Sequence, residues 1–387
     1  MTLNTQQLRR ASAAPREPDA GPALARPPAN LDVLMIGAGN SGESVALGCQ
    51  ALGIHDRVWI PAIGLNNDRL PPRLIAVPQA DRGSAALELA DRLVLDGENP
   101  RERLLDEPLL AQRYRPLLRG LPVLETYPRA GAGGHGHPAI AALDIDLSIN
   151  LVLSWLRGGI HQLRGAPHAS TGQTELQRRL AAWRQHDDTT RELRVVLIGG
   201  AAGAMGNASH QLLPYLVRHV LAEQGITRYE LWGVLLGPRA FSGLTPYTRQ
   251  NFRALLEGIE QLSRHGMRRR FINDLEIAMQ QPPYDRVFLL DDPRLPGTAA
   301  KVTEQELDVF LSQSALSLYT LLRGTVWPTV ASHTANDDGV ARADGRLRYL
   351  HTARAVVLRA DREQLRAELE QRLAQRALSH FIERFAA

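Results

Sequence analysis

Val33-Leu34-Met35-Ile36-Gly37-Ala38-Gly39-Asn40-Ser41-Gly42 is the stretch that decides the fold. Four apolar residues run straight into a G-x-G-x-x-G pattern, and Glu43 to Leu52 follows with helical character, closed by Gly53. An unbroken apolar run is what a strand buried on both faces of a parallel sheet requires. Small residues at the turn let backbone N–H groups approach an anion closely, and the start of the helix adds positive potential. The bland alternative is a tight strand-to-helix turn that binds nothing.

Outward from this stretch the same alternation recurs. Val195-Val196-Leu197-Ile198 leads into Gly199-Gly200 and a helix from about Ala208 to Glu223. Val58 to Gly64 and Leu74 to Val77 read as further strands, as do Tyr229 to Leu236 and Arg286 to Leu290. Helices are expected over Ser84–Leu93, Pro108–Leu118, Ile140–Leu156, Glu175–Arg184 and Thr248–His265. A long apolar helix over Thr303–Leu322 opens on Thr303-Glu304-Gln305-Glu306, a capping-box pattern. Alternating strands and helices predict an α/β fold, a parallel sheet with helices on both faces.

The expected organisation is a disordered tail over 1–30, an α/β domain over 31–300, a long helix over 301–325 and a small α+β piece over 326–387. In that last piece, Arg346 to Leu358 suggests one or two strands and Asp361 to Phe385 a polar helix.

Composition excludes several chemistries. Lys301 is the only lysine, so the Gly-Lys-Ser/Thr ending of a Walker loop is absent. Cys49 is the only cysteine, which rules out an intrachain disulfide and a cysteine-based zinc site. A net charge of +4 over 387 residues marks no dedicated nucleic-acid surface. No apolar run reaches the roughly 18 residues of a membrane span, and a cytoplasmic location is expected. His135 and His137, with Asp144 and Asp146, are a weak candidate metal set. Arg268-Arg269-Arg270 reads as a solvated helix end.

Two readings of the glycine loops compete. A dinucleotide site wants an acidic residue at the end of the second strand to hold a ribose. Here that region reads Asn66-Asn67-Asp68, with Asp68 several residues late. A dinucleotide site also needs one glycine-rich loop, and this chain has three: 37–42, 131–136 and 199–206. Several cradles suit one nucleotide with a longer phosphate chain.

The series resembles the tubulin/FtsZ superfamily, in particular its divergent bacterial tubulin-like branch, over residues 31–325. Gly37, Ala38, Gly39 and Asn40 resemble the family's opening loop. Asn66-Asn67-Asp68 resembles the Asn-Thr-Asp that ends its second strand, and Ala130-Gly131-Ala132-Gly133-Gly134 its γ-phosphate-facing loop. Gly199-Gly200-Ala201-Ala202-Gly203-Ala204-Met205-Gly206 sits where the family keeps Gly-Gly-Thr-Gly-Ser/Thr-Gly. Asn251 opens a helix resembling the one after the family's fifth strand.

The resemblance implies GTP or GDP held across these loops, with Mg²⁺ as a candidate companion and Asp291 or Asp292 accepting from the guanine edge. It implies self-association or a protein partner. Asn336-Asp337-Asp338 resembles the acidic loop that acts in a neighbouring subunit's site, which makes Asp337 and Asp338 the catalytic candidates. The missing hydroxyls at 201–205 imply weak or absent hydrolysis, since each lost charge-assisted hydrogen bond costs about 1–3 kcal/mol. Two alternatives stand beside this reading: a degenerate tubulin-like scaffold without turnover, and a Rossmann NAD(P)-dependent oxidoreductase.

Overall fold

The computed structural model describes residues 31–55, 60–76, 89, 91–96, 104, 106–118, 131, 133–164, 192–243, 246–292, 295, 301–323 and 350–352. The expected tail, the helices over 175–184 and 361–385, and Asp337 and Asp338 lie outside them, as does Ala132. The chain divides into two units, Met1–Arg354 and Ala355–Ala387, and the second also lies outside the described residues.

Strand β1 (Leu31–Ala38) is an inner strand of a seven-stranded sheet. On one side it pairs with β2 (Ala62–Asn66), which pairs with β3 (Asp91–Val94). On the other side come β4 (Glu192–Gly200), β5 (Tyr229–Leu236), β8 (Arg286–Leu290) and β9 (Leu350–Thr352). Every pairing is parallel, so the carboxyl ends of the strands share one edge of the sheet. Part of the expected C-terminal piece, Leu350–Thr352, therefore belongs to the main sheet. A separate antiparallel hairpin joins β6 (Met267–Arg270) and β7 (Glu276–Met279).

The strands alternate between two cores. Val33 and Met35 of β1, with Val196 and Ile198 of β4, face one of them. There α1 (Gly39–His55) packs with α7 (Glu304–Arg323). Leu34, Ile36 and Ala38, with Val195 and Leu197, face the other. It includes residues of α3 (Pro138–Leu147), α4 (Ile149–Arg164), α5 (Ala204–Glu223) and α6 (Thr248–His265). Helix α2 (Pro108–Leu118) packs on α3 in a smaller cluster, where Leu110 and Tyr114 meet Ile140 and Leu143. This is the two-faced burial that unbroken apolar runs demand. The capping box at α7 forms: Thr303 Oγ1 accepts from the Glu306 N–H at 3.2 Å, and Glu306 Oε2 accepts from the Thr303 N–H at 2.8 Å.

The structure corrects five local expectations. The second strand is Ala62–Asn66, later than Val58–Gly64; Pro61 lies before it and accepts the Met35 N–H through its carbonyl. Leu74–Ala76 is not a strand. Arg73 anchors the segment to Asp308 of α7, and Ala76 gives its carbonyl to Ser312 Oγ, leaving Leu74 exposed. Asp91–Val94, expected as the end of a helix, is the third strand. The expected helix over Ile140–Leu156 is two helices meeting at about 80°. Ser148 leaves the helical path at φ −101, ψ 19, and its carbonyl caps the second helix by accepting from Val152 N–H. Finally, Arg268-Arg269-Arg270 is strand β6 rather than a helix end. Arg269 turns inward to Asp146, while Arg268 and Arg270 pair with Glu276 and Asp274.

Candidate functional site

At the carboxyl edge of the sheet a cleft of about 300 Å³ opens over β1, β2 and β4. Four chain segments line it: 38–41, 66–68, 133–136 and the stretch from Gly200 to Gly206. The ring of Phe241, on the 3-10 turn Pro238–Phe241, adds the one large apolar wall. Of the residues expected from sequence, Ala38, Gly39, Asn40, Asn66, Asp68, Gly133, Gly134, Gly200 and Gly203 line the cleft together.

Others lie behind the lining. A Cβ on Gly37 would sit 2.6 Å from the Cα of Glu43, and one on Gly199 would sit 3.0 Å from the Cα of Gly206. These glycines allow helices to touch strands. Gly131 takes φ +87 and offers its carbonyl to the Arg69 N–H, while Ala201 and Ala202 are buried beneath the turn. Asp291 and Asp292 follow β8, outside the lining. Asp291 faces Arg239 at 3.6 Å, burial raises its carboxyl above the usual range, and its buried Oδ1 has no hydrogen-bond partner among the described residues.

The lining also includes Ser41, Asn67, His135, Gly136, Ala204, Met205 and Gly206, which lie within the loops marked from sequence, and Phe241, which lies outside them. Phe241 carried no signal, because nothing in Pro238-Arg239-Ala240-Phe241 marks a turn aimed at another loop.

Both glycine motifs are shorter as loops than their sequence suggests. Helix α1 begins at Gly39 and α5 at Ala204, so each motif is a strand end plus a first helical turn. The first N–H groups of a helix have no partner within it. Gly203, at the N-cap of α5, has no side chain to cap them, and neither helix has an acidic residue in its first turn. Two positive helix ends are thus left open at one cleft, the arrangement that receives an external anion.

A carboxamide network fixes the β1–β2 side. Asn66 Nδ2 donates to Asn40 Oδ1 at 2.6 Å and to Glu43 Oε2 at 3.0 Å, and Asn40 Nδ2 donates to Asp68 Oδ2 at 3.3 Å. Glu43 is fully buried and is met by Arg92 through Nε and Nη2 at 3.0 and 3.2 Å. Burial pushes the Glu43 carboxyl up, opposed by Arg92 and Asn66. Asn67 ties the neighbouring loop down, donating to Asp144 at 2.7 Å while its carbonyl accepts from Gly133 N–H. Asp68 is the single carboxylate in the lining, and no Lys or Arg lines it among the described residues.

The chain is similar to TubZ. A GTPγS-form protofilament of TubZ from Bacillus thuringiensis serovar israelensis is 16% identical at a TM-score of 0.38, covering 73% of this chain and 54% of that one. The GDP-form protofilaments from the same source are 12% identical at 0.35, covering 83% and 60%. TubZ of Clostridium botulinum phage c-st is 10% identical at 0.32, covering 75% and 59%. The chain thus spans between half and two thirds of the length of these TubZ structures. No family model matches the chain, and no curated protein does.

Three of the four members of the weak metal set, Asp144, Asp146 and His137, have other partners. No group of three metal-ligating side chains occurs among the described residues. Asp144 holds Asn67, and Asp146 is fully buried between Arg113 and Arg269. His137 packs against the ring of Tyr247 at 4.9 Å, and burial lowers its pKa. Among the described residues no single helix is long and apolar enough to cross a membrane.

Proposed function

We propose that the chain is a tubulin/FtsZ-like guanine-nucleotide-binding protein that self-associates and turns GTP over slowly or not at all. One observation carries this reading. Two helix N-termini with no acidic side chain in the first turn, that of α5 also without a side-chain cap, open onto a single cleft framed by glycine loops. Such a cleft offers backbone N–H groups to phosphate oxygens, and its volume lies at the small end of ordinary ligand sites.

In this reading GTP or GDP lies with its phosphates against Gly39, Asn40, Gly133, Gly134, Gly203 and Ala204. Asp291 or Asp292, beyond the lining, would accept from the guanine edge, since a carboxylate matches the N1–H and N2–H₂ donors. Asp68 fits a Mg²⁺ that takes most of its ligands from phosphate and water. Two features favour slow turnover: residues 199–206 carry no hydroxyl, and Met205 lines the cleft. A scaffold that binds nucleotide without turnover is the nearest second reading, on the same two features. The NAD(P) reading loses support, because the residue that ends β2 is Asn66, whose amide is committed to Asn40 and Glu43.

The test is a titration of the full chain with GTP, GDP, ATP and NADH, with phosphate release followed at rising protein concentration. Preferential GTP and GDP binding with slow release supports the proposal. Binding without release at any concentration leaves the no-turnover form, which is the scaffold, and NADH binding alone overturns the guanine-nucleotide reading.

A further inference from the structure

Behind the cleft, outside its lining, two buried carboxamides hold the glycine loops together. Asn251, in the first turn of α6, donates from Nδ2 to the Gly136 carbonyl at 2.7 Å and to the Ala202 carbonyl at 3.0 Å. Asn207, in the first turn of α5, donates from Nδ2 to the Ala201 carbonyl at 3.0 Å and to the backbone carbonyl of Asn251 at 2.8 Å. Gln211, one turn further along α5, fixes the Asn207 amide by donating to its Oδ1 at 2.9 Å. The same end of α6 touches the 133–137 loop a second time, where Tyr247 meets the ring of His137.

Three carbonyls from two loops far apart in sequence are therefore gathered onto one buried cluster. In a trans peptide the C=O and the following N–H point in opposite directions. Two of the N–H groups that follow are held as well: His137 N–H donates to the Gly134 carbonyl at 2.8 Å and Gly203 N–H to the Gly200 carbonyl at 3.3 Å. These peptides are fixed on both sides, so losing the cluster's bonds frees the loops that shape the cleft.

We propose that Asn251 is a positioning residue that locks the 133–136 loop to the 200–206 turn, so that phosphate affinity in the cleft depends on a side chain that does not touch the ligand. The inference rests on the nucleotide reading above. Asn251→Asp keeps the side-chain shape but replaces both donors with an oxygen facing two carbonyls. Asn251→Ala removes the side chain.

Two measurements on the full chain test it. The first is GTPγS binding, where loss of two buried hydrogen bonds predicts a Kd roughly tenfold higher for Asn251→Ala, and higher still for Asn251→Asp. The second is backbone hydrogen exchange in the nucleotide-free protein. Faster exchange is expected in both the 133–137 and 200–206 segments of either variant, with β1 and β5 unchanged. Variants that bind GTPγS within about twofold of the unsubstituted protein overturn the positioning role. Faster exchange confined to α6 overturns the lock. An unsubstituted protein that binds no nucleotide overturns the functional reading and the affinity claim with it, while exchange still decides the lock by itself.

Discussion

Glycines that look interchangeable in the sequence have separate roles around the cleft. Gly39, Gly133 and Gly136 hold positive φ in the lining. Gly206 is there for space: a Cβ on it would fall 2.5 Å from both the N and the O of Gly200. Neither backbone atom can retreat without moving the end of β4. Gly206→Ala should therefore cost about 1–3 kcal/mol, the usual range for overpacking, and weaken nucleotide binding with it. Gly158 lies midway along α4, and a Cβ there would meet nothing within 4 Å. Gly158→Ala should instead stabilise by about 0.5–1 kcal/mol through helix propensity. Urea midpoints of the two variants, read at constant m-value, check both signs.

His210 gives the residue scale its pH dependence. It is fully buried on α5, with Nδ1 2.7 Å from the Tyr284 hydroxyl and Nε2 3.4 Å from the Gly199 carbonyl. Burial pushes its pKa down from 6.5 to about 4. A depressed pKa means that the unfolded chain takes the proton first. Stability is thus intact above pH 6.5 and falls as pH drops from there towards 4, by about 3 kcal/mol if the whole shift is expressed. His210→Gln should flatten that limb of a stability–pH profile, even where it costs stability at pH 7. A profile as steep as that of the unsubstituted protein between pH 6.5 and 4.5 counts against His210 as its source.

At the scale of elements, legibility followed the source of the structural signal. The apolar runs of β1, β4, β5 and β8 and the capping box of α7 are local patterns, and each led to the right element. The break at Ser148 was hidden because neither proline nor glycine marks it. Beside the break the contacts are tertiary: Asp146 accepts from Arg113 at 2.6 Å, from Arg269 at 2.9 Å and from the Ile272 N–H at 3.1 Å. The same bonds tether the β6–β7 hairpin, whose sequence Met267-Arg268-Arg269-Arg270 lacks the alternation of apolar residues that marks a strand. Asp146→Ala should leave two arginines without their buried partner, at a cost of about 3 kcal/mol. The loss should be local, so limited proteolysis is expected to cut near residues 267–279 before the parallel sheet is attacked. Cleavage unchanged in site and rate would show that the hairpin is held by its apolar contacts instead.

At the scale of the molecule, the sequence located a cleft better than it listed the cleft's lining. The loops at 37–42, 66–68, 131–136 and 199–206 were readable because glycine and asparagine at strand ends have few other uses, and a parallel sheet brings such loops to one edge. The cluster of Asn207, Gln211 and Asn251 was not readable. Each is an ordinary polar residue in a helix until tertiary structure brings them together. Asp291 shows the converse: its position after a strand was evident, while its distance from the other loops depends on how β5 and β8 extend the sheet.

Assembly is where the molecular scale makes its own prediction. A cleft at one edge of a sheet, with no Lys or Arg among its described lining residues, would leave the outer phosphate of a bound nucleotide exposed to whatever lies above it. If a second copy covers it with a different face, the contact is heterologous and repeats into a filament rather than closing into a dimer. The acidic candidates Asp337 and Asp338 would then act on a neighbour's nucleotide, and turnover per molecule would rise with protein concentration. The variant Asp337→Asn with Asp338→Asn should bind GTPγS like the unsubstituted protein and show no such rise. Adding it to unsubstituted protein held at low concentration should raise release per unsubstituted molecule, because the intact acids of those molecules would then act on the variant's nucleotide. Release that follows only the amount of unsubstituted protein, whatever the proportion of variant, would place the chemistry within one chain and remove the reason for a filament contact at this cleft.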